Sequence, residues 1–154
     1  MASWQWALIL LFAAGSLAAF FKGFYETKYK KNSYGPIGFW LMPWGIIAWG
    51  DAVVFGPFWV LVSAVVLVLK DWYLFLLIFS VFWVVRSLGE TIYWFNQQFS
   101  SKVYEWNKPE NLPFHSIFHN DSIWYIYQIM WQCMSVVSVI ASIYFAHLWL
   151  SMVL

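Results

Sequence analysis

"IGFWLMPWGIIAWGDAVVFGPFWVLVSAVVLVL", residues 37–69, is an apolar run of 33 residues with one charge in it, Asp51. As a straight helix it would extend about 50 Å at 1.5 Å per residue, against a hydrocarbon core of about 30 Å. The run must therefore break. Gly50–Asp51 is the expected break, because aspartate caps the helix that follows it. That leaves residues 52–69 as one membrane span. It sets apart residues 36–49, "PIGFWLMPWGIIAW", whose two prolines and three tryptophans suit a short interfacial or re-entrant segment better than a crossing.

The same length test applied outward gives three more spans, at residues 4–21, 72–95 and 123–150. Lys70 and Asp71 form a tight turn between the second and third. Polar loops are expected at 22–35 and 96–122, with Asn120, Asp121 and Ser122 as candidate caps for the last helix. The fold class is an all-α integral membrane protein, a four-transmembrane-helix bundle in one domain, residues 1–154. The first span lacks the charged stretch that opens a secretory signal, so it is read as retained.

Composition agrees. Charged residues are 10% of the 154-residue chain, where soluble domains have about 25%. Aromatics reach 24%, with 13 Trp and 9 Tyr, and such rings collect where a bilayer meets water. A formal net charge of +1 offers no field for nucleic acid. The single cysteine, Cys133, excludes an intramolecular disulfide and any CxxC motif, and is expected to be a small packing residue. Lysines set the orientation. Loops 22–35 and 96–122 hold six of them and the other side only Lys70, so both termini are expected outside and the two polar loops in the cytoplasm.

Candidate functional residues are the charges inside the spans. Arg86 and Glu90 are four apart, the spacing that brings opposite charges together on a helix. Arg86 lies 14 residues past Trp72, roughly 21 Å along its helix. If the second and third spans fold back on each other about residues 70 and 71, Asp51 lies level with Glu90. Gln128, Gln132, Ser135, Ser138 and Ser142 recur at helical spacing on the fourth span, and Tyr93 and Gln97 continue the third. Ala14, Gly15, Ala18 and Ala19 form a small-xxx-small pattern for close helix approach. Intramembrane charges of this kind point to function, yet the same groups could serve as a folding clasp.

A second constellation is "PFHSIFHND", residues 113–121. His115 and His119 at i,i+4 would share one helical face, and with Asp121 they form the nearest approach to a metal set. Without an HExxH or richer histidine pattern, no metal and no cofactor are expected, and the histidines read as headgroup-level residues of an interfacial helix. His147 reads as an interface residue near the outer end. The GxSxG hydrolase signature, the TVGYG potassium filter and the arginine ladder of voltage sensors are absent.

Three functional classes follow. The first is an oligomeric channel or transport subunit whose Asp51, Arg86, Glu90, Gln128 and Gln132 line a passage. The second is a membrane-embedded enzyme acting on a lipid or apolar substrate through Glu90, His115 and His119. The third is an accessory subunit of a larger membrane complex. The partners expected in every case are the lipid bilayer and either further copies of the chain or other membrane subunits.

Overall fold

The computed structural model describes residues 1–35 and 39–154, and every regular element described is a helix. Helix α1 is Ser3–Tyr29, α2 is Trp49–Leu69, α3 is Trp72–Gln98 and α4 is Ser122–Val153. Short 3-10 segments lie at Phe39–Trp44, Glu105–Asn107 and Pro109–Asn111. All four α-helices are long and apolar enough to cross a membrane. By internal contacts the chain divides into two compact units, Met1–Ile78 and Phe79–Leu154.

In the first unit α1 buries Ile9, Ser16, Ala19, Gly23 and Glu26, and α2 buries Ala52, Gly56, Trp59, Ser63 and Val66. Both sets follow the alternating three- and four-residue spacing of a helix–helix seam. The pair is antiparallel, with Ile9 packed in one cluster with Val66 and Gly23 lying beside Trp49 and Ala52. Lipid provides no hydrophobic force between helices, so close backbone approach has to supply the attraction. A Cβ on Gly23 would stand 2.9 Å from the Trp49 carbonyl oxygen, and one on Gly56 would stand 2.9 Å from that of Ser16. The expected small stripe is therefore shifted. Ala19 is buried, but Ala14 and Ala18 are exposed and Gly15 is half-buried, because the seam runs through Ser16 and Gly23.

Helix ends depart from the expected span limits for local reasons. Residues 22–29, expected as loop, continue α1. Lys22 Nζ and Lys30 Nζ each lie 2.9 Å from Glu26 Oε1, one helical turn on either side of the carboxylate. The end comes where Lys31 takes a left-handed φ of 53° and the Asn32 N–H reaches the Glu26 carbonyl. Helix α2 starts at Trp49, not Ala52. Asp51 is thus in its first turn and bonds backward, accepting the Ile47 N–H at 3.0 Å and the Ala48 N–H at 3.1 Å through Oδ2. Ala48, at the cap, has no side-chain acceptor of its own, so Asp51 serves for it.

The segment before α2 falls partly outside the described residues, at 36–38. From Phe39 onward it leans on the helix pair. Trp44 Nε1 donates to the Phe12 carbonyl at 3.1 Å, and Trp59 Nε1 donates to the Trp44 carbonyl at 3.0 Å. The Phe12 and Trp44 rings stack at 5.0 Å. The chain leaves α1 and enters α2 at the same end of the pair.

The two-residue turn expected at Lys70 and Asp71 is present. Lys70 is left-handed at φ 53°, its N–H bonds Leu67 O, and the Asp71 N–H bonds Val66 O, which closes α2. Asp71 Oδ1 then accepts the Leu74 N–H at 3.0 Å and opens α3.

In the second unit α3 and α4 run antiparallel. Ser135 Oγ donates to Ser87 Oγ at 2.8 Å, Trp83 stacks with Trp131 at 6.3 Å, and Trp94 stacks with Tyr127 at 4.7 Å. The connection between them folds back onto the helix ends through Asn107, which is 3% exposed. Its Nδ2 donates to Tyr93 OH at 2.7 Å and Gln97 Oε1 at 2.6 Å, and its carbonyl accepts Trp124 Nε1–H at 2.8 Å.

Candidate functional site

Arg86 and Glu90 lie on consecutive turns of α3, and Arg86 Nη1 is 2.8 Å from Glu90 Oε1. Their side chains are 15% and 13% exposed, so both charges are largely withdrawn from the surroundings. Removing such ions from water costs several kcal/mol each even after relaxation. A short, hydrogen-bonded contact is what offsets that cost.

Beside the pair runs the serine seam. Ser80, Ser87, Ser135 and Ser138 are all buried. Ser87 Oγ donates to the Trp83 carbonyl at 2.5 Å and accepts from Ser135, while Thr91 Oγ1 donates to the Ser87 carbonyl at 2.8 Å. Ser142 Oγ donates to the Ser138 carbonyl at 2.8 Å. Hydroxyls that bond back to their own helix let polar side chains sit in an apolar segment.

Of the other expected members, Asp51 holds the start of α2 through its carboxylate. Gln128 is half-buried and accepts Gln98 Nε2–H at 2.7 Å. Gln132 is exposed. The buried positions of α4 are Trp124, Trp131, Ser135 and Ser138, so the seam passes through Trp131, and its neighbour Gln132 points about 100° away. Cys133, expected to pack, is exposed for the same reason.

The histidine pair also differs from expectation. Residues 113–118 form turns, with Phe114 at φ 67°, and Asn120 is left-handed at φ 58°. There is no helix to put His115 and His119 on one face. They meet instead across a cleft of about 280 Å³ lined by Pro109, Glu110, His115, His119, Asn120 and Asp121. Among the described residues no three His, Cys, Asp or Glu side chains are grouped closely enough to hold a metal ion. His147 is exposed on α4.

Two buried polar residues, Glu26 and Asn107, are not among the candidates that the sequence offers. Glu26 is 5% exposed, and its signal was legible in Lys22, Glu26 and Lys30 at spacings of four. Asn107 and its bond from Trp124 had no such signal, because nothing local tells a buried loop asparagine from an exposed one. Trp94 Nε1 and Gln97 Nε2 are buried donors without an acceptor, beside Asn107 on the same face of α3.

Four apolar helices carrying a withdrawn ion pair define the class: a small multi-pass helical membrane protein. Comparison with protein-family models, with curated proteins and with solved structures found no match to this chain.

Proposed function

We propose that the chain is a subunit of an oligomeric membrane channel or transporter, with Arg86 and Glu90 as the charged element of its passage. The observation that carries this is the Arg86–Glu90 contact at 2.8 Å, between side chains that are only 15% and 13% exposed on an apolar helix. An apolar pair of the same volume at these two positions would carry no desolvation cost. Charges kept at such depth are characteristic of ion and proton pathways. Asp51, Gln128 and Gln132 complete the proposed polar layer. One chain with four spans rarely encloses a pathway alone, which is why several copies are invoked.

In this reading the described part of the segment before α2, residues 39–49, is re-entrant. Phe12 lies 17 residues before the end of α1, about 25 Å along the helix, and the Trp44 indole reaches its carbonyl. Both termini lie outside, and loops 22–35 and 96–122 lie in the cytoplasm.

The test is flux through the purified full chain in liposomes, with potassium, chloride and protons as separate probes. Glu90→Gln is expected to change the flux or its pH dependence by tenfold or so, the scale of one pathway charge. His115→Ala is expected to leave it intact. Flux no greater than in protein-free liposomes, for the native chain and Glu90→Gln alike, would remove the channel reading.

A second reading, a membrane-embedded enzyme acting on a lipid, is favoured by the cleft that gathers His115, His119, Glu110 and Asp121. It would take first place if elemental analysis found one zinc or iron per chain that His119→Ala abolished.

A further inference from the structure

Residues 4–21 of α1 carry no charge and measure about 27 Å as helix, close to a hydrocarbon core of about 30 Å. Lys22 therefore stands at the edge of the apolar layer, and the turn of α1 that follows it passes through the headgroups, a layer of roughly 5–8 Å on each side. Tyr25 and Tyr29 are both exposed there. Amphipathic rings of this kind collect at headgroup level.

Into that layer three lysines bring their charges from different positions along the helix. Lys22 reaches forward and Lys30 reaches back to the same atom, Glu26 Oε1, each at 2.9 Å. Lys28 also reaches back, with its Nζ 5.1 Å from the centre of the Phe24 ring. Side chains on a helix lean toward its N-terminus, which for α1 is the direction of the bilayer, and the long lysine stem lets the charge follow. The three ammonium groups gather within about one helical turn, 5 Å, past Lys22.

Negative charge is withheld from the same layer. Glu26 is the sole acid among residues 1–50. It is 5% exposed, and its carboxylate is shared between two lysines whose side chains are 54% and 51% exposed. Lys28 has no carboxylate partner among the described residues, and Lys31, exposed just past the helix, adds a further positive charge.

We propose that this end of α1 is a binding surface for anionic phospholipid, its ammonium groups pairing with the headgroup phosphates of the leaflet in which the helix ends. Charge complementarity and depth together argue for that occupant: exposed positive charge is concentrated at the level where lipid phosphates lie, and the nearby acid is turned inward. A lysine cluster directly beyond a membrane span attracts acidic lipid for this reason. Lys28 lies about 160° around the helix from Lys30, so the surface is a collar that takes more than one lipid. The inference does not depend on the transport reading.

The test is native mass spectrometry of the full chain in micelles of an uncharged detergent, titrated with phosphatidylglycerol or with phosphatidylcholine of the same acyl chains. Phosphatidylglycerol is expected to be retained about 5- to 25-fold more tightly, one lysine at a charged surface being worth about 5-fold, and to be released as salt is raised. Lys28→Gln combined with Lys30→Gln leaves Glu26 paired with Lys22 alone and should bring the two lipids close to equal retention. Lys28→Arg combined with Lys30→Arg should keep the preference. Lys70→Gln combined with Lys102→Gln removes the same charge elsewhere in the chain and should leave the preference unchanged. Equal retention of the two lipids by the native chain would overturn the proposal, as would a preference that survives in a folded Lys28→Gln, Lys30→Gln protein or that is lost equally in the Lys70→Gln, Lys102→Gln protein. Displacement of phosphatidylglycerol by inorganic phosphate would also overturn it, since the site would then be one for a soluble anion.

Discussion

Lys70 is a lysine where the backbone requires a left-handed residue, at φ 53°. An L side chain there costs roughly 1–2 kcal/mol relative to glycine, and glycine is the usual residue at this point of the closing motif. Lys70→Gly is therefore expected to raise stability by about 1 kcal/mol, read as a higher denaturant midpoint in micelles. Asp71 shows the opposite sign. Its carboxylate closes the first turn of α3 at 3.0 Å, so Asp71→Ala should lower stability by about 1 kcal/mol while Asp71→Asn keeps most of it. A midpoint that falls in Lys70→Gly would mean the ammonium matters more than the backbone strain. Both residues were legible as a turn because the charged pair interrupts two apolar runs. The left-handed conformation of the lysine was not, since lysine carries no local signal for it.

At the scale of elements, the four helices were legible because length and hydropathy alone decide whether a segment can cross a bilayer. Their contact faces were not. In lipid the outward face is as apolar as the inward one, so hydrophobic periodicity says little about which side packs. That is why the small-residue spacing suggests an interface at Ala14 and Ala18, which are exposed, and why Gln132 shares helical spacing with Ser135 although Trp131 holds the seam. The face of α2 is marked instead by Gly56. A Cβ there would meet Phe20 Cβ at 2.7 Å and the Ser16 carbonyl oxygen at 2.9 Å. Gly56→Leu is expected to destabilise the α1–α2 pair by about 1–3 kcal/mol through overpacking. Ser63 on the same seam is buried with its hydroxyl unpartnered, so Ser63→Ala should be neutral or stabilising. Equal losses for the two variants in the same unfolding titration would show that bulk on this seam is not what matters.

For the whole molecule the decisive stretch is the one before α2, because a full crossing by residues 36–49 would invert everything after it. Within the first unit, Gly23 lies beside Trp49 and Ala52 while Ile9 packs with Val66. The end of α1 and the start of α2 therefore share one end of the pair, and the segment joining them returns to the side it left. Four crossings with both termini on one side remain the expectation from sequence. Lys22, Lys28, Lys30 and Lys31 lie in or beside the first polar loop, Lys102 and Lys108 in the second, and Lys70 in the turn between α2 and α3. Positive residues in short loops remain in the cytoplasm, so Lys102→Cys on a Cys133→Ser background should react with a membrane-impermeant maleimide only after the cells are opened. Lys70→Cys, in the turn between α2 and α3, should react in intact cells. Labelling of Lys102→Cys from outside, with Lys70→Cys protected, would invert the chain from α2 onward, the result of a full crossing by the segment before α2 or of a reversed insertion; labelling of both positions from outside would mean that α3 does not cross.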